Sequence, residues 1–187
     1  MKKTLAVMLS GAMLMLAACG GGSNQASGDK KEKTVTIGIT QIVEHPSLDA
    51  AREGFIEALK DAGYEEGKNL KIDYQNAQGD MNNNASIAQK FVSDKNDLIL
   101  AIATASAQAA VQATKDIPVL FTAITDPVGA ELVQSMEKPG GNATGTTDTH
   151  PDAIKNTIAA IKKFIPGVKK VGIIYNNGEP NSVVNVK

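Results

Sequence analysis

The chain has 187 residues, of which 42% are hydrophobic and 21% are charged, and its formal net charge is −1. These proportions are typical of a globular protein and provide no basic surface for nucleic acid or for an anionic membrane. With one cysteine and two histidines, the chain has too few sulfur and nitrogen ligands for an internal disulfide or a structural zinc site. We therefore expect no metal, no cofactor and no nucleic-acid partner.

Residues 1–18 have the pattern of an export signal. A basic start is followed by an apolar run, and Leu16–Ala18 supplies the small residues of a cleavage site. The single cysteine, Cys19, comes next, so that this stretch resembles the lipobox of a bacterial lipoprotein signal. The resemblance implies cleavage before Cys19, acylation of its sulfur (diacylglycerol and palmitate) and anchoring on the extracytoplasmic face of the cell membrane. A plain secretory peptide with a chance cysteine is the alternative.

A lobe of alternating strands and helices is predicted over residues 34–148, after a flexible, Gly-, Ser- and Lys-containing tether over residues 19–33. Strands are predicted over 34–40, 70–75, 97–103, 117–124 and 143–147, and helices over 48–62, 84–93 and 107–114. The apolar runs in 97–103 and 117–124 lack alternation, which is typical of parallel strands buried on both faces. This order predicts a Rossmann-like α/β fold, a parallel sheet with helices on both faces.

The remaining residues, 149–187, are interpreted as a crossover helix and the beginning of a second, incomplete lobe. A helix is predicted over 152–164, and then a strand over 168–175. The residues expected to face inward from the helix are Ile154, Ile158, Ile161 and either Phe164 or Ile165. The loop after this strand should start another helix. A lone strand and a partial helix cannot bury their own apolar faces. Either this part packs onto the first lobe, or a second lobe is missing, and we expect the second lobe to be truncated.

Small polar residues come directly after the two most apolar strands. Thr104 or Ser106 could cap the helix after the first, and Thr125 or Asp126 could cap a helix after the second, with Pro127 in its first position. Both sets are therefore predicted at the carboxyl edge of one sheet, where helix amino termini direct unpaired N–H groups at ligands. The alternative is that these residues only cap helices.

Several stretches in chain order resemble one family of proteins. They are Gly38–Asp49, Asn76–Asp80, Ala101–Thr104, Ile117–Pro127, Lys138–Asn142 and Tyr175–Ser182. Together they resemble the substrate-binding lipoproteins of ABC importers, in particular the subfamily that includes tryptophan- and tyrosine-binding lipoproteins. The resemblance implies a periplasmic-binding-protein-like fold of two hinged lobes that close on a ligand. It also implies capture of a small amino-acid-like ligand, with aromatic amino acids as candidates, and delivery to an ABC permease in the membrane.

The resemblance also carries a set of ligand-binding residues. The first-lobe wall would be lined by Gln41, Glu44, Thr104, Ala105, Ser106, Thr125 and Asp126, and the second-lobe loop would contribute Asn181 and Ser182. Helix-start N–H groups suit a ligand carboxylate, and either Asp126 or Glu44 could pair with its ammonium group. The choice between these two acids stays open, as does the reading of Asp126 as a plain cap.

Two other functions compete with transport. An extracellular lipoprotein that senses a ligand and signals to a membrane receptor could use the same lobes. An enzyme is not expected, because no Gly-x-Ser-x-Gly pattern surrounds Ser106 and only two histidines could act as a base. We therefore predict no catalytic residue.

Overall fold

The computed structural model describes residues 33–150 and 152–186, so the predicted export signal, Cys19 and nearly all of the predicted tether lie outside the described residues. Strands and helices alternate as the sequence predicts. In chain order the elements are β1 Val35–Gln41, α1 Pro46–Asp61, β2 Leu70–Asn76, α2 Met81–Ser93, β3 Leu98–Ile102, α3 Thr104–Ala113, β4 Val119–Ile124, β5 Ala143–Thr147, α4 Ala153–Phe164 and α5 Pro180–Val184.

The described strands form one sheet with the order β2-β1-β3-β4-β5. Every neighbouring pair is parallel, and Ile37 in β1 lies between Ile72 of β2 and Leu98 of β3. All strands therefore end at the same edge of the sheet. The loops after β1, β3 and β4 carry most of the predicted ligand-binding residues, so the topology places them along one edge.

The core has two layers, one on each face of the sheet. Alternate residues of β3 divide between them: Ile99 packs with Phe91 and Phe121 against α2 and α3, while Leu100 packs with residues of β1 against α1. This arrangement confirms the predicted parallel sheet with helices on both faces, because only a strand covered on both sides buries consecutive apolar residues.

The outer strand β5 approaches β4 unusually closely at Gly145. A Cβ atom added there would lie 1.9 Å from the carbonyl oxygen of Phe121. The register between these strands shifts between Phe121 and Ile124, and Ala123 inside this stretch has a φ of 57°. Only glycine leaves room for this irregular pairing.

The predicted start of α2 at residue 84 was late by one turn. The helix begins at Met81 because the Asp80 carboxylate caps it, accepting hydrogen bonds from the N–H groups of Asn82 at 2.7 Å and Asn83 at 2.9 Å. The first turn of α2 therefore contains Asn84, which becomes important at the candidate site.

The helix predicted after Pro127 is absent, and residues 127–131 form a turn instead. The N–H of Leu132 donates to the carbonyl of Pro127 at 2.9 Å, which closes a turn of six residues. Glu131 has a φ of 59°, a left-handed conformation that a right-handed helix cannot continue through. The prediction was wrong because the cap residues here cap a turn.

Two predictions for residues 152–186 were also wrong. The apolar face of α4 is exposed, with Ile154 at 47% and Phe164 at 81% of their full accessibility. Residues 168–175 are in no strand, because none of the described strands runs beside them to supply hydrogen bonds. Nine of the fourteen large hydrophobic residues that are exposed in the described ranges lie in this part of the chain.

Across residues 33–150 and 152–186, none of the helices combines the length and the apolar character needed to cross a membrane.

Candidate functional site

The start of α3, residues Thr104–Ser106, comes after β3 with a single residue between them. That residue, Ala103, has φ 77° and ψ 157°. Its N–H donates to the carbonyl of Thr122 in β4 at 3.0 Å, and its carbonyl accepts from the N–H of Ala107 at 3.1 Å. Ala103 is therefore both the last residue bonded to the sheet and the N-cap of the helix, which places the helix start directly at the sheet edge.

No side chain caps α3, so the predicted caps Thr104 and Ser106 were wrong: both residues lie inside the first helical turn. Within the described part of the chain, no carbonyl or side chain accepts a hydrogen bond from the N–H of Thr104, Ala105 or Ser106. Such N–H groups carry the positive end of the helix dipole. The start of α3 can therefore bind an anion.

Asp126 lies beside the start of α3. It comes after β4, and β4 is paired with β3, so the two loops are neighbours at the carboxyl edge. Its Oδ1 accepts a hydrogen bond from the N–H of Gly129 at 2.8 Å. The predicted juxtaposition of the two strand ends at one sheet edge is thus observed, with a carboxylate next to uncapped N–H groups.

A narrow cleft joins three of the predicted ligand-binding residues, Thr104, Asp126 and Asn181. The rest of its lining comes from Gly129, Ala130, Pro180 and Val184. Its volume is about 10 Å³, which is close to the space of one water molecule. Because α5 supplies Asn181 and covers the cleft, an amino acid could enter only if α5 lay farther from Thr104.

Gln41 and Glu44 lie apart from this cleft. The Gln41 side chain is fully buried, and its Nε2 donates to the carbonyl of Val43 at 2.9 Å and to Asp49 Oδ1 at 3.0 Å. Glu44 is exposed and lines another cavity, of about 340 Å³, together with Asp49, Arg52 and Tyr74. The structure therefore does not bring Glu44 into the cleft that contains Asp126.

The remaining candidates make local contacts. The carbonyl of Thr125 accepts from the hydroxyl of Thr147 in β5 at 3.4 Å. The hydroxyl of Ser182 donates to Glu179 Oε2 at 3.1 Å. Ser106 is buried, and its hydroxyl donates to Asn84 Oδ1 at 3.2 Å.

Asn84 is a buried polar residue at this site that was missed from the sequence. Its Nδ2 donates to the carbonyl of Ala105 at 2.8 Å, and its Oδ1 accepts from the hydroxyl of Ser106 at 3.2 Å and from that of Thr40 at 3.4 Å. The sequence did contain a signal for the burial of Asn84. It precedes the buried residues Ala88 and Phe91 by four and seven positions and so lies on the same helix face.

Within residues 33–150 and 152–186, no three His, Cys, Asp or Glu side chains lie close enough together to hold a metal ion.

Comparisons with known proteins agree with this architecture. Residues 36–187 match the family model of ABC transporter substrate binding proteins. The chain is 54% identical over 192 aligned positions to a tyrosine-binding protein of Clostridioides difficile (strain R20291), an alignment that covers 99% of this chain and 55% of that protein.

Two solved structures are also similar. A conserved domain protein from Vibrio cholerae O1 biovar El Tor superposes with a TM-score of 0.78 at 49% identity, over 82% of this chain and 51% of that one. An ABC domain from Streptococcus pneumoniae in complex with L-Trp superposes with a TM-score of 0.76 at 42% identity, over the same shares of 82% and 51%. The chain thus spans about half the length of these relatives.

Proposed function

Because the chain belongs to the family of ABC transporter substrate binding proteins, we propose that it forms part of a binding component that captures an amino acid and delivers it to a membrane permease. One observation carries this proposal: Thr104, the first residue of the uncapped helix α3, lines the same cleft as Asp126. An α-amino acid bears a carboxylate and an ammonium group on one carbon, so a donor set and an acid must lie side by side to bind both.

The carboxylate of the ligand would lie at the N–H groups of Thr104, Ala105 and Ser106. A negative charge at a helix start gains about 0.3–1 kcal/mol from the dipole, and hydrogen bonds to a charged acceptor add to this. No side chain of the described residues competes for these donors. The ligand itself would act as the cap of α3.

The ammonium group would pair with Asp126. The sequence left open whether Asp126 or Glu44 pairs with the ligand. The positions of the two acids favour Asp126, because it lines the cleft at Thr104 whereas Glu44 lines a separate cavity. The Gly129 N–H uses Oδ1 of Asp126, which leaves Oδ2 to face an ammonium group.

An aromatic amino acid is the ligand we propose. The support comes from two relatives, a tyrosine-binding protein and a domain in complex with L-Trp, at 54% and 42% identity. Asn181 and Ser182 would meet this ligand from α5. Ligand would favour the closed arrangement of α5 over an open one by contacting both sides of the cleft, which is the hinge closure of a two-lobed binding protein.

We further propose that Cys19 anchors the protein to the extracytoplasmic face of the membrane. Each buried methylene of an acyl chain contributes about 0.8 kcal/mol, so that two or three chains hold a protein firmly. Detergent extraction of host membranes followed by intact-mass measurement tests this. A mass increment equal to diacylglycerol plus an acyl chain on Cys19 is expected, and an unmodified cysteine would contradict it.

Isothermal titration of the whole protein, as its host makes it, tests the function. We expect saturable binding of tryptophan or tyrosine at one ligand per protein, no chemical change of the ligand, and much weaker binding of tryptophanamide, which lacks the carboxylate. Absence of binding to any amino acid, or turnover of the ligand, would overturn the proposal. A binding protein that signals rather than transports would bind equally well but would leave uptake of labelled amino acid unchanged when its gene is deleted.

A further inference from the structure

We propose that Asn84 is a positioning residue that aims the start of α3 at the carboxylate of the ligand. The inference rests on the proposed function and deepens it. Asn84 does not line the cleft that contains Thr104, Asp126 and Asn181, so its effect on a ligand passes through the backbone of α3.

The amide of Asn84 joins three elements that meet at the sheet edge. Thr40 comes from the end of β1, Asn84 from the first turn of α2, and Ala105 with Ser106 from the first turn of α3. Thr40, Asn84 and Ser106 have no accessible surface at all. A buried amide whose donor and acceptor are both used fixes the orientation of its partners, because leaving any of them unpaired away from water is costly.

The bond from Asn84 to Ala105 determines where one ligand donor points. The carbonyl of Ala105 and the N–H of Ser106 belong to the same peptide group, which is planar and trans, so they point in opposite directions. Asn84 Nδ2 holds that carbonyl at 2.8 Å. It therefore also fixes the direction of the Ser106 N–H, one of the donors that remain unpaired within the described residues.

The hydrogen bond from the Ser106 hydroxyl to Asn84 keeps this hydroxyl from bonding to backbone groups at the start of α3. A serine in the first turn of a helix can turn its hydroxyl back onto neighbouring backbone groups. Here the Ser106 hydroxyl donates to Asn84 Oδ1 at 3.2 Å and stays in the core. The N–H groups at the start of α3 are thereby kept available for an external anion.

The test compares two ligands that differ only in their carboxylate, L-tryptophan and L-tryptophanamide, in the whole protein. Asn84→Leu removes the donor and the acceptor without adding a charge that would itself repel a carboxylate. We expect the ratio of the two Kd values, amide over acid, to fall about tenfold or more, because donors to a charged group lose strength steeply with misalignment. Asn82→Leu is the matched control, since Asn82 lies in the same turn but is exposed, and it should leave the ratio unchanged.

A second variant keeps the proposal testable if Asn84→Leu does not fold. Ser106→Ala leaves the bond to the Ala105 carbonyl and removes one partner of Asn84, and we expect the ratio to fall about threefold, as for one neutral hydrogen bond. An equal loss of affinity for both ligands, or an unchanged ratio in a folded variant, would reduce Asn84 to a core residue and overturn the inference. Wild-type protein that binds neither ligand, or both equally, would instead overturn the proposed function.

Discussion

The carboxylate of Asp126 is hydrogen-bonded to the backbone of Gly129 and occupies the space that a side chain at residue 129 would need. Oδ1 accepts a hydrogen bond from the Gly129 N–H at 2.8 Å, and a Cβ atom added at Gly129 would lie 2.2 Å from Oδ2. The absence of a side chain at residue 129 thus lets the turn after β4 close tightly around the acid. Asp126 is fixed by the turn that it caps, and its charge is held at the cleft.

Replacing Asp126 separates its proposed role in pairing with the ligand ammonium group from its role as the cap of the turn. Asp126→Asn keeps an oxygen for the Gly129 N–H but removes the charge, so we expect affinity for the amino acid to fall by about tenfold or more, the loss of a charge-assisted bond, with little change in Tm. Titration calorimetry and thermal unfolding on the same sample measure both. Glu44→Gln is the control and should leave the Kd unchanged, because Glu44 lines a different cavity. An unchanged Kd for Asp126→Asn would leave Asp126 as a turn cap only.

Gly145→Ala should destabilise the sheet edge strongly. The added Cβ would overlap the backbone carbonyl of Phe121 at 1.9 Å, and a backbone atom in a paired strand cannot move aside as a side chain can. We expect the free energy of unfolding to fall by about 2 kcal/mol or more, measured by urea denaturation.

Gly54→Ala is the matched substitution in an open place. Gly54 lies within α1, and nothing lies within 4 Å of the position of its added Cβ. Because alanine loses less backbone entropy in a helix, we expect stability to rise by about 0.5–1 kcal/mol. Equal effects of the two substitutions would contradict the close approach of β5 to β4.

Ala103→Gly should stabilise the protein, unlike most alanine-to-glycine changes. With φ 77° and ψ 157°, Ala103 occupies a region that is favourable only for glycine. Relief of this strain should exceed the added entropy of the unfolded chain, for a net gain of about 1 kcal/mol in urea denaturation. Ala109→Gly, inside α3, should lose about 1 kcal/mol, as expected of an ordinary helical position. A lower free energy of unfolding for both variants would contradict the backbone strain at Ala103.

Stability should fall in acid partly through Asp73. Burial raises the pKa of this carboxyl, but hydrogen bonds from Lys90 and from Gln75 at 2.6 Å outweigh burial and lower the pKa below its usual value. A carboxyl with a lowered pKa in the folded state stabilises the protein above the pKa of the unfolded chain, about 3.9, and this contribution is lost as the pH falls through the folded pKa.

The comparison that isolates this group is the difference in free energy of unfolding between wild type and Asp73→Asn. We expect the difference to be present at about pH 6 and to shrink below about pH 4. Asp61→Asn serves as control, since Asp61 is exposed and makes no ion pair within the described residues. A difference that does not depend on pH would assign the effect of Asp73 to packing instead.

Much of the fold was readable because burial and periodicity are local signals. The consecutive apolar residues of β3 could only be buried on both faces, and that one inference gave the parallel sheet and the common edge. Asp126 was correctly placed at that edge for the same reason. The turn after Asp126 could not be predicted, because an aspartate can cap a turn as well as a helix. The left-handed backbone conformation of Glu131 also has no signal in the sequence.

The start of α3 was misread for a related reason. A sharp strand-to-helix turn at a φ of 77° is expected to carry glycine, and the alanine at residue 103 hides it. Thr104 and Ser106 then appeared to be caps, although no side chain caps this helix. Similarly, the apolar run at residues 168–175 has the composition of a strand, but a strand exists only where another strand lies beside it, and the sequence does not reveal that neighbour.

The position of β1 between β2 and β3 has a kinetic consequence. Thr36 and Asp97 are joined by a hydrogen bond between residues 61 positions apart, so the pairing of β1 with β3 closes a long loop. Such distant contacts slow folding. The chain must lose the entropy of the open loop before the contacts that stabilise the closed loop can form. The edge of β1 that faces β3 therefore stays unpaired until β3 has been synthesised.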